Sequence, residues 1–244
     1  EDIGLFAQMG FKTLRISVDW SRIYPMGDEE APNQEGIRYY TDVVDELLAN
    51  GIEPIVTLYH FEMPYHLVTE YGSWTNRKLI GFYLRYCETM FRALKGKVRY
   101  WVTFNEMNHI DPATEASDIF TYMIAGLKFS EMEDPARTLA AVGYNMTAAG
   151  VRAVELGHRI DPENQIGCVF GLQPVYAYNC KPENAFQAFR EMYRDFYQVD
   201  AMCNGYFPRY KLKEYEKMGI VPEGVEEDEE AFKQGVIDFI GVNY

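Results

Sequence analysis

A carboxylic acid stands between two amides at the end of one apolar segment. In "WVTFNEMNHI" (101–110) the apolar run stops at Asn105, Glu106 and Asn108. A carboxyl group at such a point can give or take a proton, and neighbouring amides can hydrogen-bond the hydroxyl groups of a ligand. Two simpler roles are open for Glu106 at this stage: a solvated loop acid, or the N-cap of a helix.

Polar residues follow or interrupt other apolar segments in the same way. These are Arg15 inside "FKTLRISV" (11–18), His60 and Glu62 after "IEPIVTLY" (52–59), and Asn243 at the end of "VIDFIGVN" (236–243). Together with Asn105 and Glu106 they form a set suited to binding sugar hydroxyls and carrying a proton.

Each of these residues also has a purely structural interpretation. His60 could be a core histidine with its hydrogen bonds satisfied, and Arg15 could pair with Asp19 or Glu62. Asn243 could only close a turn. The sequence pattern alone does not decide between these roles.

Composition excludes several classes of function. The 37 acidic against 23 basic residues give a formal charge of −14, which argues against nucleic acid as a partner. No run approaches the roughly 20 apolar residues of a membrane helix, so no membrane partner is expected. The four histidines show no metal-ligand spacing, so no metal site is expected. The scattered cysteines indicate free thiols; their positions are Cys87, Cys168, Cys180 and Cys203.

Short apolar runs alternate with helical patterns along the whole chain. Five strands are predicted, at 11–18, 52–59, 98–104, 165–172 and 236–243. Amphipathic helices are predicted at about 35–50, 75–95 and 135–157. Continuously apolar strands joined by helices are typical of a parallel α/β sheet, either doubly wound or closed into a barrel. No glycine-rich turn follows the first strand, which favours a (β/α)8 TIM barrel.

Five strands are too few for a closed barrel of eight. The chain also starts within a helical pattern and stops within a strand pattern. We therefore expect residues 1–244 to be an interior segment of a single (β/α)8-barrel catalytic domain, incomplete at both ends and covering about five of the strands. A separate five-strand domain is the alternative.

Four motifs in order resemble glycoside hydrolase family 1. "TLRISVDWSRIYPMG" is similar to the family's Y-R-F-S-I-S-W-S-R-I-x-P stretch, and "TLYHFEMP" to T-L-x-H-W-D-L-P. "TFNEMN" resembles the T-F-N-E-P acid/base motif, and "DFIGVNY" resembles D-F-I-G-x-N-Y-Y. The resemblance spans essentially the whole chain.

The variants within these motifs resemble the bacterial 6-phospho-β-glucosidase branch. His60 to Pro64 read H-F-E-M-P, and Asn105 to Asn108 read N-E-M-N. "IGCVFGLQPVYAYNCKPENAFQA" is similar to that branch too. The final strand departs from it, because Val242-Asn243 follows the general family where phospho-glucosidases often carry F-S.

The resemblance implies a role for each matching residue. Glu106 would be the general acid/base, Asn105 would bind the 2-hydroxyl of the sugar, and His60 would bind near its 3-hydroxyl. Arg15 and Asn243 would stand beside the catalytic nucleophile. Phe61 takes the place of a family tryptophan, so one indole donor is missing.

The implied nucleophile is a glutamate in a T-E-N-G motif, which does not occur in residues 1–244. The resemblance therefore predicts a retaining hydrolase of 6-phospho-β-glucosides whose nucleophile lies outside this chain. A β-glucosidase or 6-phospho-β-galactosidase of the same family, or an inert sugar-binding fragment, are the alternatives. A small phosphorylated sugar is the expected partner and the cytoplasm the expected location, with a homo-oligomer left open. The resemblance implies no metal or organic cofactor, because two carboxylates suffice for this reaction.

Overall fold

The computed structural model describes residues 1–111, 118–194 and 196–244. All five predicted strands are present, at slightly different bounds. They are β1 (Thr13–Ser17), β2 (Glu53–Thr57), β3 (Tyr100–Asn105), β4 (Gln165–Gly171) and β5 (Phe239–Asn243). Every neighbouring pair is parallel, and the order in the sheet is β1-β2-β3-β4-β5. A doubly wound sheet reverses its strand order at a switch point, so this order without reversal is that of a barrel.

Helices precede and connect the strands. They are α1 (Asp2–Gln8), α2 (Trp20–Ile23), α3 (Gln34–Ala49), α4 (Tyr65–Tyr71), α5 (Lys78–Ala93), α6 (Asp118–Ala125), α7 (Pro135–Ile160), α8 (Pro182–Arg194), α9 (Tyr197–Asn204), α10 (Arg209–Met218) and α11 (Glu229–Gln234). Short 3-10 turns occupy Ser73–Thr75, Met107–His109 and Phe129–Glu131.

Two predicted helix ends have the expected local chemistry. The side chain of Asp134 accepts a 3.1 Å hydrogen bond from the backbone N–H of Arg137 and caps α7, with Pro135 in the first turn. Gly51 follows α3 with a φ of 71°, the left-handed conformation that glycine adopts without strain.

Helix α7 differs from the amphipathic helix that the sequence predicts. Its polar residues Asn145 and Thr147 are buried along with its apolar ones, because α5, α9 and α11 all pack against it. Asn145 donates to the carbonyl of Trp74 at 2.8 Å, and Thr147 donates to the carbonyl of Gly143 at 2.7 Å. Internal partners thus replace the solvent on the face that was expected to be exposed.

An aromatic cluster fixes the ends of the first three strands against the helices. Tyr86, on α5, donates from its hydroxyl to the carbonyls of Val18 at 2.9 Å and Leu58 at 2.8 Å, just beyond β1 and β2. The Tyr83 hydroxyl donates to the carbonyl of Thr103 in β3 at 2.7 Å. Rings in mutual contact fill the space between, namely Trp20, Tyr59, Trp74, Tyr83, Tyr86 and Phe104. Each such pair adds about 0.5–1.5 kcal/mol beyond its buried area.

All four cysteines are free thiols, as the sequence indicates. Across the described ranges, none of the helices has the length and apolarity needed to cross a membrane.

Candidate active site

The carboxyl ends of the five parallel strands lie at one edge of the sheet, and the predicted site residues meet there. Arg15, the central residue of β1, links β2 and β3. Its Nε donates to Oγ1 of Thr57 at 2.9 Å, and its Nη2 donates to Oδ1 of Asn105 at 2.5 Å. The purely structural interpretation expected Arg15 to pair with Asp19 or Glu62. Its hydrogen-bond partners are instead the side chains of Thr57 and Asn105. Burial lowers the pKa of Arg15, and the negative charge of Glu106 acts in the other direction and raises it.

Asn105 is the last residue of β3 and is almost fully buried, with 1 % of its surface exposed. Its backbone N–H donates to the carbonyl of Tyr59 at 2.9 Å. Because Oδ1 accepts from Arg15, the orientation of the side-chain amide is set and Nδ2 remains as its donor group.

Glu106 adopts a left-handed backbone conformation, with a φ of 48°. Its N–H donates to the carbonyl of Val169 in β4 at 2.8 Å, so the residue stays anchored to the sheet as the chain turns away. It occupies the N-cap position of the 3-10 turn Met107–His109, but its side chain makes no capping hydrogen bond. A non-glycine residue held in this region is typical of functional sites.

The carboxylate of Glu106 has a neighbour on each oxygen. Asn243, the last residue of β5, donates from Nδ2 to Oε1 at 2.5 Å. His109 places its Nε2 3.7 Å from Oε2. The Glu106 side chain is 22 % exposed, so one part remains open to a ligand. The side chain of Asn243 therefore fixes one oxygen of Glu106, a role beyond the turn closure that the sequence left open.

His60 is oriented from two sides. Its Nδ1 lies 3.0 Å from Oγ of Ser17, and its backbone N–H donates to Oε2 of Glu62 at 3.0 Å. Burial, and then the charge of Arg15, lower the pKa of His60, while Glu106 opposes that shift. The imidazole is consequently neutral at pH 7, with one nitrogen able to donate and one able to accept. Burial raises the pKa of Glu62.

The structure brings all five predicted site residues into one connected set. Arg15 contacts Asn105 directly, Asn243 contacts Glu106 directly, and Glu106 acts electrostatically on both Arg15 and His60.

Sequence reasoning missed four residues that complete this set: Ser17, Thr57, His109 and Gly171. Ser17 and Thr57 are register partners at the ends of β1 and β2, a signal that was readable once the strands were aligned. His109 lies three positions after Glu106, but its proximity depends on the left-handed turn between them.

Gly171 is required by the close packing at the end of β4. A Cβ atom at this position would lie 2.5 Å from Nε2 of His109 and 3.3 Å from Cδ of Glu106. Only a residue without a side chain leaves room for both. Within the described residues, no group of three or more His, Cys, Asp and Glu side chains is arranged to hold a metal ion.

The sequence profile of glycosyl hydrolase family 1 matches residues 1–244. The chain belongs to glycosyl hydrolase family 1. Curated relatives include the aryl-phospho-beta-D-glucosidase BglA of Bacillus subtilis, 41% identical, and the 6-phospho-beta-glucosidase AscB of Escherichia coli, 39% identical. Each alignment covers 100% of this chain and 50% of the relative. The chain thus spans about half the length of these family 1 relatives.

Solved family 1 structures share the fold. The family 1 b-glucosidase from Thermotoga maritima superposes with a TM-score of 0.81 at 26% identity, over 100% of this chain and 52% of that one. A rice Os3BGlu6 beta-glucosidase superposes with a TM-score of 0.79 at 28% identity, over 99% of this chain and 51% of that one. The predicted fold class is confirmed, and the five strands are part of a (β/α)8 barrel.

Proposed function

We propose that this chain belongs to a retaining β-glycosidase that hydrolyses 6-phospho-β-glucosides, with Glu106 as the general acid/base. The observation that carries the proposal is the position of Glu106. Its carboxyl group lies at the strand-end edge, partly exposed, bonded by Asn243 and directly after the Arg15-oriented Asn105. Family membership supplies the reaction class.

In the first step the nucleophilic carboxylate bonds to the anomeric carbon, while the bond from that carbon to the glycosidic oxygen breaks and Glu106 gives its proton to the departing oxygen. In the second step the ionised Glu106 takes a proton from water, whose oxygen bonds to the anomeric carbon as the bond from that carbon to the nucleophile breaks. The Asn243 amide donates to Oε1, so Oε2 is the oxygen that exchanges the proton in this account.

The nucleophile of this mechanism is a carboxylate outside residues 1–244, roughly 5–5.5 Å from Glu106. Arg15 and Asn243 flank that position in the proposal. Arg15 holds a positive charge there that favours an ionised nucleophile.

Two further residues bind the sugar in the proposal. The Nδ2 group of Asn105 donates to the 2-hydroxyl, a contact that strengthens as positive charge develops at the anomeric carbon. The neutral imidazole of His60 binds the sugar near its 3-hydroxyl, and Ser17 fixes the ring orientation.

The names of the relatives support a phosphorylated substrate, since BglA and AscB are both named for phospho-β-glucosidase activity. The proposal also includes a single barrel domain as the catalytic unit and the cytoplasm as its location, because imported sugars occur there as phosphates. Val242-Asn243 follows the general family pattern, which favours a β-glucosidase of unphosphorylated substrates as the second candidate.

Three substrates separate these candidates with the full-length protein. They are 4-nitrophenyl β-glucoside, its 6-phosphate, and the corresponding β-galactoside 6-phosphate. The proposal predicts that kcat/KM is highest for the glucoside 6-phosphate and that proton NMR detects the β-anomer first. A preference for the unphosphorylated glucoside supports the second candidate, and no turnover of any substrate supports an inert sugar-binding protein.

A further inference from the structure

The side-chain amide of Asn108 makes a pair of hydrogen bonds to the backbone of the neighbouring strand. Its Nδ2 donates to the carbonyl of Gly171 at 2.9 Å, and its Oδ1 accepts from the N–H of Gly171 at 3.0 Å. Asn108 is 1 % exposed, and Gly171 is buried as well. This amide is therefore occupied by the protein and shielded from a ligand, although its place beside Glu106 first suggested a hydroxyl-binding group.

These two bonds replace part of the backbone ladder between β3 and β4. The N–H of Glu106 still donates to the carbonyl of Val169 at 2.8 Å. In a regular parallel ladder, the carbonyl of Glu106 would next accept from the N–H of Gly171. Glu106 instead has a φ of 48° and a ψ of 36°, and its carbonyl accepts from the N–H of His109 at 3.4 Å. Asn108 supplies the acceptor that Gly171 would otherwise lack in this direction, and it supplies a donor as well.

The same contact determines where the carboxyl group of Glu106 lies. A Cβ atom on Gly171 would be 3.3 Å from Cδ of Glu106, so the carboxyl group packs against the residue that Asn108 binds. Its Oε1 accepts from Asn243 at 2.5 Å on the other side of β4. A movement of the turn away from Gly171 would therefore move the carboxyl group relative to Asn243.

The chain beyond this turn has anchors of its own. The hydroxyl of Tyr197 donates to the carbonyl of Ile110 at 3.2 Å, and Asp111 forms a buried ion pair with Lys211. A substitution of Asn108 should therefore disturb the turn locally and leave the following segment in place.

We propose that Asn108 is a positioning residue for Glu106, which holds the left-handed turn against Gly171 and thereby aims the carboxyl group at the glycosidic oxygen. Asn108 itself contacts neither the substrate nor a reacting atom. A buried peptide group that loses its partner is unfavourable, so the two bonds to Gly171 oppose any movement of the turn. The catalytic meaning rests on the proposed function of Glu106, whereas the position of the turn does not.

Two matched variants of the full-length protein test this role, Asn108→Leu and Asn164→Leu. Leucine has nearly the size of asparagine and forms no side-chain hydrogen bond. Asn164 is 3 % exposed and directly precedes β4; it donates to the carbonyl of Gly157 at 2.9 Å and accepts from the indole N–H of Trp101 at 3.1 Å. The two substitutions thus remove similar bonds at opposite ends of β4.

The first measurement is kcat/KM on a 4-nitrophenyl glycoside and on the matching alkyl glycoside. A displaced general acid slows the departure of an alkyl group, which needs protonation, far more than that of nitrophenol. We expect Asn108→Leu to lower kcat/KM about 10- to 100-fold for the alkyl substrate and less than about threefold for the nitrophenyl substrate. Asn164→Leu should change the ratio of the two values by less than about twofold. Equal losses on both substrates in Asn108→Leu would overturn the proposal.

The second measurement reports the turn without reference to activity. Hydrogen exchange at the Gly171 amide, followed by mass spectrometry of overlapping fragments, should be about tenfold faster or more in Asn108→Leu and unchanged in Asn164→Leu. Unchanged exchange in Asn108→Leu would contradict the anchoring role. Should Asn108→Leu fold poorly, Asn108→Ser should show the same effects at smaller size, and their absence would have the same meaning.

Glu106→Gln distinguishes failure of this proposal from failure of the proposed function. A leaving-group effect in Glu106→Gln that is missing in Asn108→Leu would overturn the positioning role alone. Its absence in Glu106→Gln would contradict the proposed function, and faster exchange at Gly171 in Asn108→Leu would then still support the anchor.

Discussion

The amide of Asn243 donates a 2.5 Å hydrogen bond to Oε1 of Glu106, joining residues 137 positions apart in the chain. The bond passes over the end of β4, where Gly171 is the register partner of Asn243. Because Gly171 has no side chain, the ends of β3 and β5 can meet across the strand between them. The ends of β3, β4 and β5 therefore together determine the geometry around the acid/base candidate Glu106.

Arg15 should be sensitive even to a substitution that keeps its charge. Lysine has no planar fork to bond Thr57 and Asn105 together, so Arg15→Lys should release Asn105. We expect kcat/KM on the preferred substrate to fall about 10- to 100-fold while the melting temperature stays near that of the parent. The control is Arg99→Lys at an exposed position near the other end of β3. Equal effects of the two substitutions would show that the Arg15 fork is unimportant.

Gly171→Ala should disturb the site through steric contact. The added methyl group would meet the imidazole of His109 at 2.5 Å and displace it or Glu106. We expect kcat/KM to decrease by about tenfold or more. Gly81→Ala is the matched control, because no atom lies within 4 Å of a Cβ at that helical position. Unchanged kinetics of Gly171→Ala would contradict the packing described for His109.

The buried ion pair between Asp111 and Lys211 should make a large contribution to stability. Their side chains are 0 % and 1 % exposed, and Lys211 Nζ lies 4.8 Å from the Tyr197 ring centre and 5.2 Å from that of Tyr215. Lys211→Met removes the buried cation beside the carboxylate of Asp111. We expect the free energy of unfolding to fall by about 3–5 kcal/mol in urea titrations.

Two companion variants test this interpretation of the ion pair. Lys213→Met, at an exposed position on the same helix, should change the free energy of unfolding by less than about 0.5 kcal/mol. Replacing both Asp111 and Lys211, by leucine and methionine, should recover most of the lost stability. A double variant as unstable as Lys211→Met would contradict the charge argument.

His60 should make stability depend on pH. Its folded-state pKa is lowered, chiefly by burial, so between the folded value and about 6.5 the unfolded chain binds more protons. The stabilisation is therefore present above that window and is lost as pH falls through it. Between about pH 7.5 and about pH 5, the free energy of unfolding should fall less for His60→Gln than for the parent. Urea unfolding at each pH measures this difference. A loss of unfolding free energy equal to that of the parent would contradict this role of His60. His158→Gln is the control for removing a histidine elsewhere in the protein.

Much of the barrel segment was predictable because strands buried on both faces are continuously apolar. The five strands and the caps at Asp134 and Gly51 all follow from local patterns. The burial of the polar residues Asn145 and Thr147 in α7 could not be predicted, since it depends on α5, α9 and α11, which pack against it from distant parts of the chain. The helices α8, α9 and α10, between β4 and β5, were also missed, and in α8 the exposed aromatic residues Phe186 and Phe189 blur the division into an apolar and a polar face.

The candidate site was predictable where it depends on strand ends. Arg15, His60, Asn105, Glu106 and Asn243 are brought together because parallel strands end at one edge of the sheet. The residues that contact this set were harder to predict from the sequence. His109 reaches Glu106 only because Glu106 adopts a positive φ, and no local pattern around a non-glycine residue signals that conformation.

The central claim is that Glu106 is the general acid/base, and one comparison tests it most directly. The full-length Glu106→Gln variant is assayed on a 4-nitrophenyl glycoside, whose leaving group needs little protonation, and on the matching alkyl glycoside, whose leaving group does. We expect kcat/KM to fall about 10²- to 10⁴-fold for the alkyl substrate and far less for the nitrophenyl substrate. Equal losses on both substrates, or no loss on either, would contradict the assignment.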